Sequence, residues 1–139
     1  MQRLIIQLER LGDLVQTTPL LQELHAAHPN DQIDVLALRE TQVVVEGLAG
    51  VRAVYTLPHD QVSVLNAEIA SDCLQHGKEA CRSNDALRDL ALPRYDHVIN
   101  LTHAELGCYI ANNVGADRRE GGLITADREW LWHGDWHVY

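Results

Sequence analysis

Leu4-Ile5-Ile6-Gln7-Leu8, then Glu9-Arg10-Leu11-Gly12-Asp13, then the stretch from Leu14 to His28: an apolar run, a polar turn holding a glycine, and leucines at helical spacing. The apolar run suits a buried parallel strand. The turn marks the exit from the strand, and Leu14, Leu21 and Leu24 give the following segment one apolar face. Pro19 is expected near the start of that helix with Thr18 as its cap, or else as a kink in its first turns. Pro29-Asn30-Asp31 ends it. The opening is therefore a strand, a tight turn and a helix, half of a βαβ unit.

The same alternation continues outward. Ile33–Leu38 and Val51–Leu57 read as the second and third strands, with a short valine-rich helix over Thr41–Leu48 between them. Residues 61–92 read as one long or broken helical region, interrupted near Gly77 and Cys81–Asp85. Tyr95–Leu101 is a fourth strand, and Glu105–Val114 a helix that Gly115 is placed to end. From Asp117 to Tyr139 no periodicity is clear, although that stretch holds all three tryptophans, Trp130, Trp132 and Trp136, which are expected to cover apolar surface. Strands alternating with helices predict an α/β fold, a Rossmann-like parallel sheet with helices on both faces. Ligands in such sheets sit beyond the carboxyl ends of the strands, which directs attention to the loops after Leu8, Leu38, Leu57 and Leu101.

Composition narrows the function. The 139 residues carry 11 Lys and Arg against 20 Asp and Glu, a formal charge of −9. No half of the chain is basic, so no electropositive face for a nucleic-acid backbone is expected. No apolar run approaches the roughly 20 residues of a membrane span, and the N-terminus is too short in apolar residues for a signal peptide. Cys73, Cys81 and Cys108 are odd in number and lack Cys-x-x-Cys spacing, which suits a reducing cytoplasm and small buried thiols. With no Phe, core volume falls to Leu, Ile, Val and Ala.

Chemistry concentrates in two loops. In Leu8–Leu14, Gly12 lets a ligand come close to the backbone, and Asp13 lies near a helix N-terminus, where a carboxylate is favoured. The residues leave Asp13 open between a helix cap and a general base at the mouth of the crevice. There is no Gly-x-Gly-x-x-Gly here and no phosphate-binding Gly-Lys-Ser/Thr anywhere in the chain. In the loop after the fourth strand, Asn100, Thr102 and His103 are candidates to face the same crevice, and Thr102 with Glu105 also spells a capping box. His133 and His137 are four apart, but Gly134 weakens a helix between them and no third ligand is fixed nearby, so no metal site is predicted.

Arg3-Leu4-Ile5-Ile6 followed by Leu11-Gly12-Asp13-Leu14-Val15-Gln16-Thr17-Thr18-Pro19-Leu20-Leu21 resembles the N-terminus of glycosyltransferase family 9, the ADP-heptose:lipopolysaccharide heptosyltransferases. The resemblance continues through His28-Pro29, Ile33–Leu36, Gly50–Tyr55, Tyr95–Leu101 and Ile110–Arg119. It implies that residues 1–139 are the N-terminal, acceptor-binding half of a GT-B architecture, whose C-terminal nucleotide-sugar domain is absent. It implies Asp13 as the catalytic base of an inverting displacement, with no metal and no cofactor beyond ADP-heptose or a similar nucleotide-sugar as donor substrate. Arg10, Gly12, Leu14, Thr102 and His103 follow as substrate-binding residues. Family members often carry small hydroxyl residues where this chain has Glu9-Arg10; Glu9 adds negative charge, and Arg10 offsets it by offering a bidentate grip on an acceptor carboxylate or phosphate. The implied partners are a lipopolysaccharide core acceptor and the nucleotide-sugar, with no nucleic acid. The implied location is the cytoplasm, with peripheral contact at the inner-membrane face, and the isolated chain is expected to be inactive. The alternative is a non-catalytic α/β module that binds a sugar or nucleotide.

Overall fold

The computed structural model describes residues 1–71, 85–124 and 130–133. Six strands form one sheet: β1 (Gln2–Gln7), β2 (Gln32–Leu38), β3 (Val51–Leu57), β4 (Tyr95–Asn100), β5 (Ala116–Ile124) and β6 (Trp130–His133). Their order is β3-β2-β1-β4-β5-β6, the first five parallel and β6 antiparallel to β5. The helices are α1 (Leu11–Ala27), α2 (His59–Ser71), α3 (Asp85–Leu90) and α4 (Glu105–Asn113), with a 3-10 segment over Arg39–Val44.

Alternating side chains divide the sheet into two buried faces. Ile5, Ile33, Val35 and Ala37 meet Leu14 and Leu21 of α1 and Val45 beyond the 3-10 segment. Leu4, Ile6, Leu36, Leu57 and Val98 meet Val62 and Leu65 of α2, Leu90 of α3 and Leu106 and Ile110 of α4. The predicted α/β sheet covered on both faces is the fold observed. The central strands β1 and β2 are near-continuous apolar runs because both faces are buried.

Several boundaries differ from the sequence reading. Helix α1 begins at Leu11, not Leu14, so Pro19 lies inside it rather than at its start. Thr18 is no cap. Its hydroxyl donates to the Val15 carbonyl at 2.8 Å, which is the acceptor that Pro19, lacking an N–H, leaves unserved. The segment after β2 is a 3-10 turn, with the Thr41 hydroxyl on the Leu38 carbonyl at 3.1 Å, instead of a helix over Thr41–Leu48. Within the predicted region 61–92, α2 and α3 are observed, whereas Gly77 and Cys81 lie outside the described residues.

The end of α4 also has a different cause. Val114, the C-cap, is extended, and the guanidinium of Arg119 donates to the carbonyls of Ala111, Val114 and Ala116 at 3.0, 2.7 and 3.2 Å. An arginine of β5, not Gly115, thus satisfies the carbonyls the helix end leaves open. Strand β5 itself was not legible, because Asp117-Arg118-Arg119-Glu120-Gly121-Gly122 carries no apolar alternation. Gly121 sits there at φ +95°, and a Cβ would fall on the Asn100 carbonyl oxygen. Trp136 and His137 lie outside the described residues, so neither the aromatic cover nor the histidine pair is placed.

Candidate functional site

From β1 the chain moves outward through β2 to β3, then returns to lay β4 on the other side of β1. The order reverses between β1 and β4, so their exit loops part: β1 leads to α1 on one face and β4 to α4 on the other. Such a switch point leaves a crevice at the carboxyl ends of the two strands, where α/β sheets bind ligands. Both chemistry-bearing loops of the sequence open there.

Asp13 occupies the third position of α1, half-buried in its first turn. One carboxylate oxygen accepts the Arg10 N–H at 3.2 Å, while the Arg10 carbonyl accepts the N–H groups of Asp13 and Leu14. The carboxylate is therefore half of a cap, held at the positive end of a 17-residue helix. Among the described residues it has no other hydrogen-bond partner and no ion pair. Cap and base are compatible: one oxygen caps the turn, and the other accepts no hydrogen bond among the described residues.

Gly12 and Arg10 are exposed beside it. Gly12 has no positive φ, and a Cβ added there would meet nothing within 4 Å. Neither backbone geometry nor packing within the described residues requires glycine, so the space above this turn is open to a ligand. Arg10 forms no ion pair among the described residues, and its guanidinium stands on the N-cap position. Leu14 is different from its expected role: it is fully buried in the α1 core, so it anchors the turn and cannot touch substrate.

Thr102 also departs from expectation. It is 1% exposed, and its hydroxyl accepts the Leu8 N–H at 2.9 Å. The capping box with Glu105 is not formed; the N-cap of α4 is Ala104, and the free Leu106 N–H finds the Asn66 side chain of α2 at 2.8 Å. Asn100 does not face the crevice either. Its Oδ1 accepts the Thr102 N–H at 3.0 Å, and its Nδ2 donates to the carbonyls of Thr102 and Gly122 at 3.0 and 2.7 Å. His103 alone of the three is exposed on the loop.

One feature escaped the sequence reading. Gly107, in the first turn of α4 and facing Thr102, admits no side chain: a Cβ would lie 2.5 Å from the Thr102 Cβ. A helical glycine next to a Thr-containing loop was the available signal. Cys108, as its sequence context suggests, is buried below the same loop, and burial, with the carboxylates of Glu105 and Glu9 adding to it, pushes its thiol up to about 11. It is a protonated core thiol at neutral pH, not a nucleophile. Among the described residues no group of three His, Cys, Asp or Glu side chains could hold a metal ion, and no helix is long and apolar enough to cross a membrane.

No protein-family model matches the chain, and no curated protein sequence does. Solved structures do. A glycosyl transferase family 9 protein from Veillonella parvula superimposes with a TM-score of 0.62 at 26% identity, over 86% of this chain and 31% of that one. The E. coli heptosyltransferase WaaC with ADP gives 0.63 at 19% identity, over 87% and 36%. The same enzyme with ADP-2-deoxy-2-fluoro heptose gives 0.52 at 24%, over 72% and 29%. The family 9 resemblance read from the Leu-Gly-Asp-Leu and Thr-x-Pro segments is thus matched by solved structures of glycosyltransferases. The chain spans about a third of their length.

Proposed function

We propose that this chain is the N-terminal, acceptor-binding domain of a GT-B glycosyltransferase of family 9, with Asp13 as general base. The observation that carries this is the position of Asp13: at the switch-point crevice, fixed through one oxygen, with open space over the adjacent Gly12. In the reaction, the second carboxylate oxygen takes the proton of an acceptor hydroxyl. The hydroxyl oxygen forms its bond to the anomeric carbon from the face opposite the leaving group, and the bond from that carbon to the nucleoside diphosphate breaks, the electron pair leaving with the phosphate. The configuration inverts. Arg10, the cation of this turn, grips an anionic group of the acceptor, and His103 lines the opposite lip.

The WaaC structures hold ADP and an ADP-heptose analogue. By that likeness the donor is ADP-heptose or a similar nucleotide-sugar; the family 9 resemblance of the sequence adds a second domain to hold it and a lipopolysaccharide core sugar as acceptor. The site of action is then the cytoplasmic face of the inner membrane. The test is Asp13→Asn in the whole enzyme. Losing a positioned general base should lower kcat by about 10²- to 10⁴-fold with acceptor affinity retained. Undiminished kcat in that variant rejects the base assignment and leaves a binding module.

A further inference from the structure

We infer that Thr102 is a positioning residue: its buried hydroxyl tethers the start of the Asp13 turn to β4 and so sets where the carboxylate stands. The inference rests on Asp13 being the base. After β1, three successive N–H groups are satisfied by side chains. Leu8 uses Thr102 at 2.9 Å, Glu9 uses Gln7 at 3.2 Å, and Arg10 uses Asp13 at 3.2 Å. The last two bonds are internal to the strand end and turn. Of the three, only the Leu8 bond reaches across to another element; it lies just beyond the Leu101 N–H to Ile6 carbonyl bond that ends the β1–β4 pairing, and so carries that pairing into the turn.

Thr102 is itself held rigidly. Asn100 clamps both its N–H and its carbonyl, and Asn100 is in turn tied to Gly122 of β5. Gly107 leaves no gap behind its Cβ. The chain of contacts runs from β5 through Asn100 and Thr102 to Leu8, five residues before Asp13. Because Thr102 is buried, it does not meet the acceptor, and its contact with the Asp13 turn is the Leu8 bond. A displacement of about 1 Å between a base and its substrate can cost about 100-fold in rate. A single buried hydroxyl that places the turn can therefore control turnover without meeting the acceptor.

Thr102→Val keeps the shape and removes the acceptor oxygen; Thr102→Ser keeps the oxygen. In this chain, amide exchange read by NMR should show the Leu8 N–H losing at least about tenfold of its protection in the Val variant and regaining it in the Ser variant, with the amides of β2 and β3 unchanged in both. In the whole enzyme, the Val variant should lower kcat at least about tenfold with acceptor KM within about twofold, and Ser should restore it. Unchanged Leu8 protection in the Val variant overturns the tether. Lost protection with unchanged kcat overturns its catalytic role while Asp13→Asn remains inactive. An active Asp13→Asn enzyme overturns the base, and with it the catalytic meaning of the tether, whatever Leu8 shows. A fall in both variants alike marks packing, not the hydroxyl, and overturns the proposal.

Discussion

At Gly12 two demands on one residue have opposite signs. Glycine inside a helical turn loses more backbone freedom on folding than alanine does, at a cost of about 0.5–1 kcal/mol. The described structure gives no return for that cost, since φ is ordinary and a Cβ would meet open space. Gly12→Ala should accordingly raise the stability of this chain by about 0.5–1 kcal/mol in urea unfolding, while lowering turnover of the enzyme because the methyl group occupies ligand space. A destabilised Ala variant, or a stabilised one with full turnover, contradicts that account. Gly107 and Gly121 contrast with it: there the neighbouring Thr102 and Asn100 already occupy the place of a side chain. The sequence marks all three only as glycine. Which are demanded by the fold and which by a ligand depends on what stands opposite, and that becomes visible only when the strands are assembled. The same limit applies to Thr102 and Leu14, whose place near the crevice was legible from the loop, but whose burial was not.

At the scale of the element, helix α1 carries its own repair. Its first turn was misread because Leu11 is exposed and the apolar period starts only at Leu14, so Gly12 looked like a turn residue. The cap is built by Asp13 from inside the helix instead of by a Ser or Thr before it. At Pro19 the missing bond to Val15 is replaced by the Thr18 hydroxyl, and Thr17 adds a bond to the Asp13 carbonyl at 2.9 Å. Thr18→Ala should thus destabilise the chain by about 0.5–1.5 kcal/mol. In a Pro19→Ala background, the new N–H serves Val15, and the same Thr18→Ala change should cost measurably less. A double-mutant cycle in urea reads that coupling, and purely additive effects would show the replacement bond to be unimportant. The strands were far more legible than this helix, because continuous apolar runs follow directly from burial on both faces, whereas caps depend on which side chain happens to reach back. Strand β5 is the exception. Its first half is charged, and Glu120, paired with Arg118 on the same strand, joins His97 of β4 in a cross-strand network, so neither apolar alternation nor a run could announce it.

Over the whole molecule, that network links the sheet across three strands. Arg3 of β1 binds Asp31 at 2.8 Å and donates through Nη1 to Nδ1 of His97 on β4 at 2.8 Å, while His97 Nε2 lies 3.4 Å from Glu120 of β5. Arginine has no acceptor, so Nδ1 must accept and the proton of the neutral ring stays on Nε2, towards Glu120. Protonating His97 would put a second hydrogen against the Arg3 guanidinium. Burial first, and then Arg118 and Arg3, hold the imidazole below its ordinary 6.5, with Glu120 opposing them. In the unfolded chain the ring takes its proton near 6.5, and in the folded chain only at lower pH. Within that window the unfolded state binds more protons, so stability rises with pH, is fully present above about 6.5, and falls as pH drops through the folded value. Asp31 extends the fall into acid. Its carboxyl is held below 3.8 by the N-terminal ammonium and Arg3, so its contribution is present above 3.8 and lost as pH falls through its folded value. The expected profile of urea midpoint against pH is a plateau at neutral pH, a decline beginning near 6.5 and a further decline below about 4. His97→Gln should lower the plateau and reduce the slope just below 6.5, leaving the steeper acid limb in place. An unchanged slope in that variant would show that His97 is not the group coupling the three strands to pH.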